Sequence, residues 1–293
     1  MDSPPQANDR RAGLKTDEGW LTSRDGLRLF RGSTSPADAA AVKAHLALVH
    51  GYGEHLGRYR ETMDRLGQAG YAVHGIDLRG HGKSSGIRAH VDAFGDYLAD
   101  VDLLFAHVRG QAEGKKVFVL GHSLGGLILA RWLVNRPEGV AGAVLSSPFM
   151  GLAFQPPRLK EMAAGLLDRL APHLHIDSGL QVEQLTRDEA IRKATAADPL
   201  YQKVTTPRWF SQSRAAQRET LERASEITVP CLLLVGEADP IARPASGQEL
   251  FSRLGSADKV LKTYDGFLHE VLNEIGRDRA FEDLGSFLDR LLG

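Results

Sequence analysis

Ser123 is the residue whose surroundings suggest chemistry most clearly. It lies at the centre of the pentapeptide G-H-S-L-G, residues 121–125, between the apolar run at residues 117–120 and an apolar stretch with helical spacing. A serine at a tight turn from strand to helix must accept strained backbone angles, and glycines on both sides remove Cβ atoms that would collide there. The pentapeptide alone is weak evidence in a chain with 31 glycines, but its position predicts a nucleophile elbow.

A serine hydroxyl attacks a carbonyl only when a base removes its proton and a third group orients that base. Asp239 follows the predicted strand at residues 231–235, and His269 follows the predicted strand at residues 260–264. Acids and histidines in turns are usually solvated or capping residues. Because the carboxyl ends of parallel strands meet at one edge of a sheet, however, these residues and Ser123 are expected to meet. The sequence predicts a Ser-His-Asp triad, and the alternative acids, each less well placed, are Glu237, Asp258 and Asp265.

Ester cleavage also needs N–H donors that stabilise the oxyanion. The backbone N–H of Leu124, directly after the serine, is one candidate. The loop H-G-Y-G-E-H at residues 50–55 follows a predicted buried strand, and we favour the N–H of Tyr52 as the second donor. A simple glycine-rich turn is the competing interpretation of this loop. His122, beside the serine, is interpreted as a packing or hydrogen-bonding residue that need not act as a base, and it is a candidate for contact with the substrate.

Alternating strands and helices must position these residues. A D-G turn at residues 25–26 predicts an opening hairpin, with strands at residues 20–23 and 27–32. Further strands are predicted at residues 45–50, 71–77, 116–120, 141–146, 231–235 and 260–264, and helices at residues 59–69, 94–109, 126–135, 245–254 and 280–292. Repeated strand-then-helix units predict an α/β protein with a mostly parallel sheet that helices cover on both faces.

The alternation divides the chain into a core and an insertion. Residues 1–18 are predicted to be a disordered tail, and residues 19–148 and 228–293 to form the core. Residues 149–227 carry prolines, an amphipathic stretch at residues 159–170 and no convincing strand, so they are predicted to be a helical cap. Cap residues that could either shield an apolar ligand or pack on the core are Leu152, Phe154, Leu166, Leu167 and Leu170.

Composition narrows the possible classes of protein. A chain of 293 residues suits one large α/β domain with an insertion. The formal net charge of −1, with dispersed basic residues, argues against nucleic acid as a partner. Residues 1–16 lack the apolar region of a secretory signal, and no apolar run is long enough to span a membrane. A cytoplasmic location is expected, while peripheral membrane contact through the cap and the oligomeric state stay open.

Metal and cofactor chemistry are not indicated by local motifs. The 11 histidines are dispersed, and neither an H-E-x-x-H motif nor a Cys-His cluster occurs. The segment at residues 77–84 lacks the spacing of a phosphate-binding loop, so a structural loop held by hydrogen bonds of Asp77 and Arg79 is predicted. Cys231 lies in an apolar run and is expected to be a buried thiol. The sequence therefore predicts no metal and no cofactor.

From about Gly19 to its C-terminus, the chain resembles the monoacylglycerol lipase and lysophospholipase-like group of the α/β-hydrolases. The elbow is shared by the whole superfamily. The H-G-Y-G-E-H loop and the ending Y-D-G-F-L-H-E at residues 264–270 are much more specific to this group. The remaining marks of the resemblance are Arg58-Tyr59, residues 77–84, His90-Val91 with Phe94, Gly236 with Asp239, and Asn273-Glu274.

The resemblance implies an α/β-hydrolase fold with a helical cap over an acyl pocket. It implies a serine esterase that cleaves monoacylglycerols or lysophospholipid-type lipid esters through an acyl-serine intermediate, without a cofactor. The triad and the two oxyanion donors are the same residues as above, and the resemblance adds Glu54 and Arg58 near the alcohol side of the substrate. Acyl-chain length and head-group preference stay open.

Two other classes of function are compatible with the sequence. The first is different chemistry on the same triad, namely short-chain carboxylester hydrolysis, amide cleavage, carbon-carbon bond hydrolysis or perhydrolysis, because fold and triad do not fix the substrate. The second is a non-catalytic binding protein, which is the less favoured class because every triad position is filled.

Overall fold

An eight-stranded sheet organises this computed structural model, which describes residues 11–135, 138–154 and 165–293. In chain order the strands are β1 (Leu14–Thr22), β2 (Arg28–Pro36), β3 (Ala44–Val49), β4 (Tyr71–Ile76), β5 (Val117–His122), β6 (Gly142–Ser146), β7 (Ile176–Asp177), β8 (Val204–Thr205), β9 (Cys231–Gly236) and β10 (Lys259–Tyr264). The order across the large sheet is β1-β2-β4-β3-β5-β6-β9-β10, and β7 and β8 pair separately. Strand β2 runs antiparallel to both neighbours, and the other pairs in the large sheet are parallel. The predicted mostly parallel sheet is confirmed.

Helices cover both faces of the sheet. They are α1 (Arg60–Gln68), α2 (Phe94–Gln111), α3 (Leu124–Leu133), α4 (Glu189–Ala197), α5 (Pro207–Glu222), α6 (Pro244–Arg253) and α7 (Asp278–Leu292), and residues 165–170 are helical as well. Side chains alternate along each buried strand. In β3, Ala47 and Val49 join the apolar core on the α2 and α3 side, whereas Leu46 and Leu48 join the core that includes α1 and α7.

The predicted core elements occur within two residues of their expected bounds, apart from the opening hairpin. There β1 begins at Leu14, so the prediction of a disordered segment is wrong for residues 14–18, while residues 1–10 lie outside the described residues. The sequence shows no apolar pattern for this strand because its side chains are mostly exposed and polar. It is held by backbone pairing with β2, from Leu14 opposite Pro36 to Thr22 opposite Arg28.

The chain leaves the large sheet between β6 and β9. The insertion, residues 149–227, contains α4 and α5 but also the short antiparallel pair β7 and β8. The expectation that it lacks strands is wrong, because two-residue strands are too short to show an alternating pattern. Most of the predicted amphipathic stretch at residues 159–170 lies outside the described residues; residues 165–170 are helical. Among the described residues, no helix is both long and apolar enough to cross a membrane.

The loop at residues 77–84 is structural, as predicted. The carboxylate of Asp77 accepts hydrogen bonds from the N–H groups of Leu56 and Lys83, each at 2.7 Å. The guanidinium of Arg79 donates two hydrogen bonds of 2.7 Å to Asp100 on α2. These contacts fix the carboxyl end of β4 to the segment that follows β3, beside the predicted oxyanion loop.

Close packing of α3 against β3 gives a testable consequence for stability. A Cβ atom at Gly125 would lie 2.1 Å from the carbonyl oxygen of Val49. Because this oxygen belongs to the backbone, only a movement of the backbone would relieve the clash. We expect Gly125→Ala to lower the free energy of unfolding by about 1–3 kcal/mol through overpacking. Urea denaturation followed by circular dichroism measures the change.

Gly285→Ala is the matched control, because Gly285 lies within α7 and nothing lies within 4 Å of its Cβ position. That substitution should raise the stability by up to about 1 kcal/mol, the difference between the two residues in a helix. Equal effects of the two substitutions would contradict the close approach of α3 to β3.

Candidate active site

The structure brings the three predicted triad residues together. Nε2 of His269 lies 2.8 Å from Oγ of Ser123, and Nδ1 of His269 lies 2.7 Å from Oδ2 of Asp239. All three side chains are buried. Each follows a different parallel strand of the sheet, β5, β9 or β10, so their meeting depends on the long-range strand order. The distances are those of a nucleophile, a base and an orienting acid.

Ser123 adopts the strained conformation expected of an elbow. Its φ of 51° and ψ of −115° place a non-glycine residue in a region that few side chains tolerate. The surrounding backbone holds it there: its N–H donates to the carbonyl of Ser146, and its carbonyl accepts from Leu127 and Phe149. These bonds are 2.9–3.0 Å long. The hydroxyl therefore projects from a fixed turn towards His269.

The carboxylate of Asp239 is fixed by its own turn. Oδ1 accepts hydrogen bonds from the N–H groups of Ile241 and Ala242, at 2.8 and 3.0 Å, which leaves Oδ2 for His269. The three alternative acids are not at the site: Glu237 and Asp265 are exposed, and Asp258 pairs with Arg290.

Asp239 also sets the electrostatics of His269. Burial lowers the pKa of His269, but the charge of Asp239 and the hydrogen bond to it, with smaller contributions from Glu270 and Glu54, raise that pKa above its ordinary value. Stabilising the imidazolium makes the neutral ring a better proton acceptor. The arrangement can therefore take a proton from Ser123 and hold it.

The predicted oxyanion loop lies against the serine. A Cβ atom at Gly51 would be only 3.1 Å from Cβ of Ser123, so glycine permits this close approach. Within the described residues, the N–H groups of Tyr52 and Leu124 donate no hydrogen bond. Two unused backbone donors thus flank the serine hydroxyl. The phenol of Tyr52 points away from them, towards the carbonyl of Val204.

His50, a residue without a predicted role, positions this loop. Its Nδ1 donates to the carbonyl of Gly51 at 2.7 Å, and its Nε2 accepts from the N–H of Leu78 at 2.8 Å. Burial lowers the pKa of His50 to about 4, so the ring is neutral, as this pattern requires. The imidazole therefore ties the end of β3 to the segment after β4. Its signal in the sequence was the His-Gly pair that follows a buried strand.

Glu54 and Arg58 belong to a buried charge cluster that also includes Glu270. Arg58 donates to Glu54 at 3.2 Å and to Glu270 at 2.6 Å, and its guanidinium also reaches Thr195 of the insertion. Burial raises the pKa of Glu54, but the positive charge of Arg58 and the hydrogen bond from the Tyr59 hydroxyl outweigh burial and hold that pKa below its ordinary value. Glu54 and Glu270 line the cavity described below, whereas Arg58 lies behind them. The position of Glu270 in the cavity wall was not predicted, although Glu270 is the last residue of the Y-D-G-F-L-H-E ending.

His122 lies beside the triad and forms part of the cavity wall. Its ring centroid is 4.9 Å from that of His269. Burial, followed by the neighbouring His269, lowers the pKa of His122 to about 4. A neutral ring here adds no charge that would compete with the imidazolium of His269. The ring thus packs against His269 and lines the cavity, and contact of His122 with a substrate stays a prediction.

A cavity of about 490 Å³ opens above Ser123, within the usual size range of small-ligand sites. Its wall is mostly apolar, and most of it comes from the insertion. Apolar lining residues from the insertion include Phe149, Leu152, Phe154, Leu167, Ile176, Leu180, Leu185, Trp209 and Phe210. Of the five predicted cap residues, Leu152, Phe154 and Leu167 are on this wall, whereas Leu166 and Leu170 are exposed. One side of the cavity is polar, with Glu54, Glu270 and His122.

This strand order, with a strained serine after β5 and a histidine after β10, defines an α/β-hydrolase. A family model described as serine aminopeptidase, S33, matches residues 40–276. The chain belongs to this family of hydrolases.

Relatives and solved structures agree with this assignment. The monoglyceride lipase of Homo sapiens is 33% identical, with 87% of this chain and 84% of that protein covered. Phospholipase YtpA of Bacillus subtilis is 29% identical, with 85% of this chain and 96% of that protein covered. The crystal structure of Paleococcus ferrophilus monoacylglycerol lipase superposes with a TM-score of 0.77 at 29% identity, with 95% and 98% coverage.

The charge interaction between His269 and Asp239 can be measured directly. We expect NMR titration to give a pKa of His269 above about 6.5, the value of an unperturbed histidine. In Asp239→Asn the main contributions that raise this pKa are lost and burial remains, so the pKa should fall. The control is Asp265→Asn, which changes an exposed acid in the segment that carries His269 and should leave the pKa of His269 unchanged. If His269 had the same pKa in the two variants, a dominant role for Asp239 would be refuted.

Proposed function

We propose that this protein hydrolyses lipid esters, monoacylglycerols or lysophospholipids, with Ser123 as the nucleophile. The observation that carries the proposal is the hydrogen-bonded chain from Ser123 through His269 to Asp239 at the floor of a mainly apolar cavity. An apolar cavity suits an acyl chain, and the serine lies where the chain's carbonyl would be. The names of the lipase and phospholipase relatives support the same substrate class.

In the proposed mechanism, His269 removes the proton of Ser123 as its oxygen attacks the ester carbonyl. The oxyanion accepts hydrogen bonds from the N–H groups of Tyr52 and Leu124. His269, still oriented by Asp239, then protonates the leaving alcohol, and an acyl-serine remains. Water hydrolyses the acyl-serine by the same steps in reverse. No cofactor takes part in these steps.

The polar side of the cavity is proposed to bind the alcohol part of the substrate. Glu54 and Glu270 offer carboxylate oxygens, and the Tyr201 hydroxyl is buried without a partner among the described residues. Free hydroxyls of a glycerol group could donate to these acceptors. Arg58 would act through Glu54 and Glu270, because its guanidinium is already occupied by them.

Amide cleavage is the main alternative, since the matching family model is described as a serine aminopeptidase. A peptidase of that kind needs a free carboxylate for the ammonium group of its substrate. Here both wall carboxylates already pair with Arg58, and most of the remaining wall is apolar. The cavity therefore favours lipid esters over peptides.

The test is the initial rate on 1-monoacylglycerols of increasing chain length, beside lysophospholipids, short p-nitrophenyl esters and an aminoacyl anilide. Ser123→Ala should lower kcat on the preferred ester by about 10⁴-fold or more, because triad residues act as a unit. Ser252→Ala is the matched control: Ser252 is exposed on α6, away from the cavity, and this variant should keep the full rate.

The substrate panel separates the alternatives. Preferred turnover of monoacylglycerols or lysophospholipids that depends on Ser123 supports the proposal. Faster cleavage of the anilide would assign the site to amide chemistry, and turnover restricted to short activated esters would contradict the lipid assignment. Wild-type rates in Ser123→Ala would refute the nucleophile itself.

We further propose that the insertion is a cap that contacts lipid surfaces, and we retain a cytoplasmic location as a prediction. Apolar side chains near the cavity are exposed along one segment of the insertion: Leu166, Leu170, Leu174 and Ile176. The Leu170 side chain is 74% exposed, so its replacement should leave folding intact. Exposed apolar groups of this kind gain free energy by entering an interface.

Leu170→Glu should reduce co-sedimentation with phosphatidylcholine vesicles, while hydrolysis of a short soluble ester stays at the wild-type rate. The control is Trp20→Glu, which places the same charge at an exposed apolar residue on edge strand β1. If both variants bound vesicles as well as the wild type does, the proposal that the cap contacts lipid would be contradicted.

A further inference from the structure

Two histidines and an aspartate converge where the insertion meets the core, away from Ser123. His90 and Asp92 lie in the core segment before α2, and His173 lies in the insertion before β7. One ligand atom from each of the three side chains lies within 4.8 Å of the others. None of the three lines the active-site cavity. The group is therefore separate from the proposed catalytic machinery.

His90 is held in one orientation. Its ring is buried, and its Nδ1 lies 2.9 Å from Oγ1 of Thr206, the N-cap residue of α5. Its Nε2 lies 3.3 Å from Oδ1 of Asp92, and its ring centroid is 4.5 Å from that of His173. Nε2 therefore faces the space that the other two side chains share.

Two imidazoles and a carboxylate form a donor set that suits a transition metal. Zn²⁺ accepts histidine nitrogens and carboxylate oxygens in three-ligand sites that keep an open position, whereas Ca²⁺ and Mg²⁺ prefer oxygen ligands. A second hydrogen bond that orients the ligating histidine, as Thr206 does for His90, is a general feature of such sites. Around a tetrahedral Zn²⁺ ion, neighbouring ligand atoms lie roughly 3.3 Å apart. The three ligand atoms here lie within 4.8 Å of one another, so the side chains must move closer together to bind the ion.

The side chains that must move are free to do so. The Asp92 side chain is 74% exposed and His173 is exposed, while the buried His90 already has its fixed place. Arg208, which follows Thr206 along α5, is a positive charge that acts on His90. Its guanidinium donates to Asp168, so its charge is largely neutralised.

We propose that His90, Asp92 and His173 bind a divalent transition-metal ion, with Zn²⁺ as the favoured ion. The bound ion links the insertion to the core. The predicted absence of a metal rested on local spacing, and these ligands come from distant parts of the sequence. The bound ion would join the segment that precedes α2 to the segment that carries Ile176 of the cavity wall. It would stabilise the folded cap without entering the reaction.

The test uses the full-length, metal-free protein and ZnCl₂ or CoCl₂ as the probe. Isothermal titration should give saturable binding of one Zn²⁺ per chain, and Co²⁺ should give a visible spectrum of mixed nitrogen and oxygen ligation. His173→Ala and Asp92→Asn, both at exposed positions, should each weaken Zn²⁺ binding by more than about 100-fold, beyond the loss typical of outer-shell changes.

His175→Ala is the matched control. His175 is exposed in the same segment, but its Nε2 contacts the carbonyl of Arg88 at 2.9 Å and it is outside the three-residue group. This variant should bind Zn²⁺ like the wild type. Zn²⁺ should also raise the melting temperature of the wild type and of His175→Ala, but not that of His173→Ala, because a ligand that binds the folded state stabilises it.

Three results would overturn the proposal. One is the absence of saturable Zn²⁺ binding to the wild type. Another is unchanged affinity in His173→Ala or Asp92→Asn, which would place the ion elsewhere on the chain. The third is a loss in His175→Ala as large as that in His173→Ala, which would indicate a general effect on the segment. None of these measurements depends on catalytic activity.

Discussion

The backbone conformation of Ser123 is the constraint on which the site depends. A serine at positive φ is costly, and it persists only where its surroundings leave no alternative. Here β5 is buried on both faces, α3 begins at the next residue, and Gly125 lets that helix approach the carbonyl of Val49. The same geometry directs the serine hydroxyl out of the sheet and leaves the N–H of Leu124 unused. One strained turn therefore supplies both the predicted nucleophile and one predicted oxyanion donor.

The other site groups are positioned by the ends of neighbouring strands. β3, β5, β9 and β10 run parallel, so their carboxyl ends bring Gly51, Ser123, Asp239 and His269 to one edge of the sheet. Buried hydrogen bonds then fix each group: backbone N–H groups hold Asp239, and His50 holds the loop before Tyr52. Preorganised donors of this kind need no rearrangement when charge develops.

Local signals in the sequence predicted the elements that have long, regular patterns. The helix at Phe94–Gln111 and the apolar strands were predictable because their side chains repeat with the period of the structure. The meeting of Ser123, Asp239 and His269 was predictable because each of them follows a strand. Strand β1 and the pair β7 and β8 were not, since backbone pairing rather than an apolar pattern holds them. The position of Glu270 in the cavity wall and the grouping of His90 with His173 depend on tertiary contacts, which no local pattern contains.

The contacts of the insertion are unevenly distributed, and this bears on how the cavity can adapt. Near the polar side of the cavity, Asp198 contacts His55, Thr195 contacts Arg58, and the backbone of Gln202 bonds to Gly53. Residues 165–176, which carry the exposed leucines, make a single hydrogen bond to the core among the described residues. It joins His175 to the carbonyl of Arg88. A segment with few such bonds opens at lower free energy than its surroundings. The side of the cavity proposed to bind the alcohol is therefore fastened to the core beside Ser123, whereas the wall formed by residues 165–176 can move with less effect on the proposed reacting groups.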